Sequence, residues 1–399
     1  MTGRSSPITS DCWVSEEASL RQKVRRKRTF ALVLAVCLAL SVALVLVLRQ
    51  NRKRELFTSE TTPFPVATHR RIDSHAHLSV GSLPQVQKLM SRYGFEHIVD
   101  LSGGTPDTNL AAHLEQAAAS NGAITVFMTL PGVELRRPGF GERIASMLAR
   151  AHDMGARGLK VYKGLGLGYL DQDGQRVPVD DPRLDPVFDA AGRLHMPVAI
   201  HTADPRAFWE PPGPANERHL ELLAHPEWSM HGQPVPSWRE LLDELERRID
   251  RHPDTTFIAV HFGCAAEDPD RVARMLRSYP NLVIDTAARF PEFGRHSASK
   301  MRALFVEFQD RILYGTDLGV GVDPLDIVPG STGNELPTVD DVDLFFASSY
   351  RYLETSDPQI PSPTPIQGGW TIAGVGLPPD VLDKIYRGNA VRVLRLASR

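Results

Sequence analysis

The chain has 399 residues, 42% of them apolar and 23% charged, with a formal net charge of -3. That is ordinary globular composition, with length enough for one large barrel or two average domains. So small a charge leaves no electrostatic footprint for nucleic acid, and three cysteines in three separate regions (Cys12, Cys37, Cys264) build neither a disulfide framework nor a paired-cysteine metal site.

A basic tail, residues 1–29, leads into "FALVLAVCLALSVALVLVL", residues 30–48. This run carries no charge and has the length to cross a bilayer, so a single N-terminal transmembrane helix is expected there. It is followed directly by "RQNRKR" rather than by a small-residue cleavage site, which reads as an uncleaved anchor and not a secretory signal. The denser "RQKVRRKR" on the N-terminal side puts the N-terminus in the cytoplasm and the bulk of the chain outside. Residues 49–69, with "TSETTPFP", read as a linker, and residues 70–399 as the folded domain.

From Arg71 onward, short β-branched runs alternate with helical patterns. Eight strands are expected: "RIDSH", "HIVDLS", "AITVFMT", "GLKVY", "PVAIHT", "TFIAVHF", "NLVIDT" and "RILYGTD". Helical patterns such as "NLAAHLEQAAAS", "ERIASMLARAHDMG", "WRELLDELERRID" and "PDRVARMLRSY" separate them. The fold class is therefore α/β, a distorted (β/α)8 TIM barrel, with functional groups at the C-terminal ends of its strands. A doubly wound open sheet is the alternative, but no G-x-G-x-x-G follows the first strand.

Two connections are unusually long. The stretch after the fifth strand, from Ala203 to Ser237, is rich in proline and aromatic residues and reads as a lid or pocket wall. The other, from Leu318 to about Pro365, holds "DDVDLFFASSYRYLET", an amphipathic helix. "KGLGLG" from Lys163 lacks the residues that complete a P-loop, and "DQDGQ" from Asp171 lacks the later glutamate of a calcium loop. They read as a flexible loop and a turn.

Polar residues gather where the strands end. Asp73, His75 and His77 alternate in "RIDSHAH", which in a regular strand puts all three on one face. Lys160 ends the fourth strand, His201 the fifth, His261 the sixth and Asp317 the eighth. Imidazole and carboxylate donors suit zinc, manganese, iron or nickel rather than calcium. Beside a metal-activated water, Asp317 would take its proton and pass it to a leaving group. Asp73 reads as a brace for the strand or a neighbouring histidine. Asp285 and Arg289, after the seventh strand, are candidates to hold a substrate carboxylate, and Asn216, Arg218 and His219 in the long fifth loop are further candidates.

In the order of these motifs, and in "RILYGTDLG" and "VLDKIYRGNAVRVL", the chain resembles the amidohydrolase superfamily from Arg71 to its end. The resemblance is closest to the amidohydrolase-related branch of metal-dependent hydrolases and decarboxylases. It implies one or two divalent ions, zinc before manganese, iron or nickel. His75, His77 and Asp317 would hold the buried ion, and a carbamylated Lys160 would bridge to a second ion on His201 and His261. An unmodified ammonium has no lone pair to offer. Without the carbamate, one ion on His75, His77, His201 and Asp317 is expected, with His261 left to act on the substrate. The expected function is a membrane-anchored hydrolase of a small molecule with an amide, ester or lactone bond. A decarboxylase on the same shell is the alternative, and a non-catalytic binding module is a third reading whose mark, degenerate ligands, is missing.

Overall fold

In a computed structural model, the described residues are 41, 69–323, 326–331, 333 and 336–396. Apart from Ser41 they lie in one unit, Glu60–Arg399. The expected tail, anchor and linker lie outside the described residues, except for Ser41 and His69. Among the described residues no helix is long and apolar enough to cross a membrane.

Strand β1 (Arg71–Leu78) pairs in parallel with β2 (Phe95–Asp100), and β2 with the first piece of β3 (Ile124–Val126). β3 breaks at Phe127 and resumes as Met128–Thr129, which starts a second parallel series through β4 (Leu159–Val161), β5 (Val198–Ile200), β6 (Phe257–Ala259), β7 (Leu282–Asp285) and β8 (Ile312–Leu313). Backbone bonds close the ring: Ser74 donates to Tyr314 O and Asp317 to His75 O. The eighth strand is itself interrupted. Asp317 takes a left-handed φ of 64°, after which β9 (Leu318–Val320) runs parallel to β1 and turns back antiparallel into β10 (Ile327–Pro329). All eight expected strands are present in a TIM-barrel-like α/β fold. The β9–β10 hairpin falls in what reads from sequence as loop.

Helices follow the strands, among them α1 (Leu83–Tyr93), α2 (Leu110–Ala119), α3 (Phe140–Met154), α4 (Asp185–Arg193), α5 (Trp238–Arg251), α6 (Pro269–Ser278) and α7 (Ala298–Glu307). Their starts are chemically marked. The side chains of Ser237, Asp268 and Ser297 accept the amides of Glu240, Arg271 and Lys300, each satisfying an otherwise orphaned donor. α5 buries Leu241, Leu242, Leu245 and Ile249, the spacing of one helical face. The expected amphipathic helix is α8 (Val339–Glu354), opened by a Thr338/Asp341 capping box.

The barrel interior is apolar below and polar above. Ile72, Val99, Phe127, Ala199, Ile258 and Val283 pack together, floored by Ala390 and Val393 of the C-terminal helix Asn389–Val393. Two residues beyond Ala199 comes His201, and two beyond Val283 comes Asp285, so the same strand faces carry the core and then the polar layer. Strands thus lift functional side chains onto an apolar plug.

Candidate metal centre

β1 does not keep a simple two-residue period. Asp73 stands opposite Ile98 and Ala76 opposite Asp100, three residue steps against two, a bulge that re-aims the strand. The expectation that Asp73, His75 and His77 share one face is corrected by it. Asp73 is buried and accepts the His75 amide at 3.0 Å, the Thr316 amide at 3.1 Å and the Thr316 hydroxyl at 2.6 Å, bracing β1 against the eighth strand. Burial pushes its carboxyl up to about 7 against those hydrogen bonds. His75 and His77 both reach Asp317, their Nε2 atoms 3.1 and 3.2 Å from its Oδ1.

Ligand atoms of His75, His261 and Asp317 all lie within 4.8 Å of one another. His261 is carried there by an abrupt end to β6, with left-handed φ at His261 (57°) and Phe262 (58°). Such a backbone is costly for residues with a Cβ and persists where surrounding contacts hold it. Here the holding contacts are the His261 amide on Asp285 Oδ1 at 2.7 Å and its Nδ1 3.0 Å from Ala287 O. The His201 and His261 rings are 4.3 Å apart, and Nε2 of His201 is buried with no hydrogen-bond partner among the described residues. Lys160 Nζ lies 3.3 Å from His75 Nε2.

The protonation pattern suits a cation. Burial, then Lys160 for His201 and His201 for His261, hold both imidazoles well below their ordinary value, and burial lowers His77. Neutral rings keep a lone pair for a metal. Burial opposes ionisation of Asp317, but the neighbouring His75 and His261 outweigh it and hold the carboxyl well below the carboxylate range. His75 is raised: burial and Lys160 oppose its protonation, and Asp285 and Asp317 win. Burial brings Lys160 down to about 8. Among the described residues two imidazoles, His75 and His261, converge with the Asp317 carboxylate at the strand ends, a donor set that fits a divalent ion.

Other expected residues fall out differently. Asp285 does not face a ligand; it is fully buried, with Oδ2 2.8 Å from His75 Nδ1 and Oδ1 accepting the amides of His261 and Ala287. Arg289 lines a cavity of about 100 Å³ together with His201, His261 and Asp317. It is 7% exposed and donates to Ala288 O, with no carboxylate partner among the described residues. His219 starts the helix His219–Ala224, half-buried, and is not among the cavity's described lining. Arg218 is buried against Glu221 and Glu292, and Asn216 caps nearby backbone carbonyls. The long fifth loop does form cavity wall, through Asp204, Phe208 and Trp228. Lys163, read from sequence only as the start of a flexible loop, and Asp204, which sequence reasoning passes over, also line it; the signal available for Asp204 was a carboxylate three residues beyond His201.

The family model described as Amidohydrolase matches residues 72–396. No curated relative matches the chain. Among solved structures it is similar to a dihydroxybenzoic acid decarboxylase from Polaromonas sp. JS666 with bound manganese and an inhibitor, at 14% identity over 83% of this chain and 98% of that one, TM-score 0.48. It is similar too to a 2,6-dihydroxybenzoate decarboxylase from Rhizobium (16%, 82% and 99%, TM-score 0.47) and a probable 2-pyrone-4,6-dicarboxylic acid hydrolase from Acinetobacter baumannii (13%, 82% and 99%, TM-score 0.45). At TM-scores below 0.5, none of these likenesses bears on this chain's reaction or ligand.

Proposed function

The chain belongs to the amidohydrolase family, and from that premise we propose that it is a metal-dependent hydrolase of an amide, ester or lactone bond in a small acid. The observation that carries this reading is the convergence of His75, His261 and Asp317 at the strand ends, with His77 on the same Asp317 oxygen. His75, His77, His201, His261 and Asp317 would hold the ion, zinc first, with manganese, iron or nickel as substitutes; a carbamylated Lys160 would join them if a second ion binds. When bound, the ion supplies Lewis-acid polarisation and a nucleophile ionised near neutral pH.

The chain's own residues do the rest. Asp317, held ionised, takes a proton from the attacking water and returns it to the leaving group. Asp285 fixes the His75 ring through Nδ1, with Nε2 turned towards Asp317. Arg289, a buried guanidinium in the cavity without an acid partner among the described residues, holds a substrate carboxylate. The apolar run 30–48 anchors the domain, with the N-terminus cytoplasmic and the barrel outside.

Elemental analysis of the purified domain tests the reading. His75→Ala and Asp317→Asn should each lose metal and hydrolysis together; metal and activity unchanged in both variants would sink it. Arg289 also favours a second reading, decarboxylation of the same carboxylate, for which carbon dioxide release without hydrolysis is the distinguishing result.

A further inference from the structure

The cavity that holds Arg289 carries a second cation. Lys163 follows β4 at the head of the glycine-rich loop, and its Nζ donates to Asp204 Oδ2 at 2.7 Å. Asp204 is 5% exposed and Lys163 35%, so the carboxylate is fixed in the wall while the ammonium remains open to the cavity. The Asp204 carbonyl is pinned in turn by Trp238 Nε1 at 3.1 Å, and Nζ of Lys163 lies 5.3 Å from the Trp228 ring. An ammonium has three donors, and among the described residues Asp204 takes one. A lysine held this way is oriented, not neutralised: one bond sets its direction and two remain for a ligand. Of the other carboxylates lining the cavity, Glu221 is taken by Arg218 and Asp317 by His75 and His77, and among the described residues Arg289 has no acid partner, so Lys163 and Arg289 are the cations left to face an anion.

We propose that Lys163, oriented by Asp204, is a second anion-binding residue, and that the substrate is a small dianion with one carboxylate on Arg289 and a second oxyanion on Lys163. This rests on the metal-centre reading for the site's location. Asp204 is a positioning residue, because it acts on the ligand through Lys163. The pair determines specificity rather than chemistry, since neither group is needed for the proton transfer assigned to Asp317.

The test titrates the metal-loaded domain with the straight-chain dicarboxylates from malonate to adipate and with monocarboxylates of matching length, by calorimetry. At least one dicarboxylate should bind about tenfold tighter than its partner. Lys163→Met should erase that preference while leaving monocarboxylate binding unchanged, and Lys163→Arg should keep part of it. A wild-type protein with no preference, or a preference that survives Lys163→Met because it comes from the metal, overturns the proposal. Failure of the metal-centre reading would show separately, as metal retained in Asp317→Asn whatever Lys163→Met does.

Discussion

Asp285 and His75 meet in a fully buried contact: Oδ2 lies 2.8 Å from Nδ1, both side chains essentially without solvent exposure. The other carboxylate oxygen receives the His261 amide, so one buried group orients the imidazole of β1 and the backbone that carries the imidazole of β6. Asp285→Asn should therefore weaken metal binding by about 10–100-fold, the usual cost of losing such a supporting carboxylate. Competition with a chelator reads the affinity directly. Unchanged affinity would remove Asp285 from the account of the site.

On the proposed function, the state of Lys160 decides the metal count. Its Nζ lies 3.3 Å from His75 Nε2, and as an ammonium it has no lone pair with which to ligate. One ion per chain is the expected outcome of elemental analysis without added bicarbonate. A second ion that appears with bicarbonate and vanishes in Lys160→Met would show the bridging carbamate instead.

Away from the site, Asp185 and Arg248 give a pH-dependent share of stability. Arg248 is fully buried and donates to Asp185 Oδ1 at 2.5 Å, to Val179 O at 3.0 Å and to Asp181 O at 2.6 Å. Burial opposes ionisation of Asp185, but Arg248 and then Arg251 prevail and lower its pKa. The folded state thus binds this proton less tightly than the unfolded chain. The contribution is present above the ordinary carboxyl value, about 3.9, and is lost as pH falls through the lower folded value. Asp185→Asn should cost about 1–3 kcal/mol at pH 7. Urea midpoints at pH 7 and pH 3 check the sign: the gap between wild type and variant should narrow at the lower pH.

Much of the barrel is legible in the sequence because each strand is a short apolar run ending in a polar residue, and that order maps directly onto an apolar floor and a polar rim. His75, His77, Lys160, His201, His261 and Asp317 can be picked out for the same reason. The β1 bulge cannot, because it depends on register against β2, a pairing between segments more than twenty residues apart. Asp285 reads as a ligand-facing residue from its strand-end position alone; only the fold shows that its oxygens are already taken. Lys163 and Asp204 meet across two loops, a juxtaposition no local pattern encodes. The expected anchor, residues 30–48, lies outside the described residues except for Ser41.

His77 is the more open of the two β1 imidazoles, with its side chain a quarter exposed. Its Nδ1 is 2.8 Å from the Ser102 hydroxyl and 3.3 Å from the Tyr162 hydroxyl, and the rings of His77 and Tyr162 stack at 5.9 Å. Ser102 is itself anchored, its amide donating to the buried Asp100 carboxylate at 2.9 Å. A ring gripped only at Nδ1 presents Nε2 in one direction, towards Asp317, so the hydroxyl decides where the second imidazole points. Ser102→Ala should leave the melting temperature nearly unchanged, because the hydroxyl is part-buried and Tyr162 still reaches Nδ1. Metal affinity should nevertheless fall several-fold, towards the lower end of the range for a lost supporting contact, about tenfold. Ser102→Thr, which restores the hydroxyl, should recover most of it. A loss of affinity that Ser102→Thr fails to repair would place the effect in packing around β2 and not in the orientation of His77.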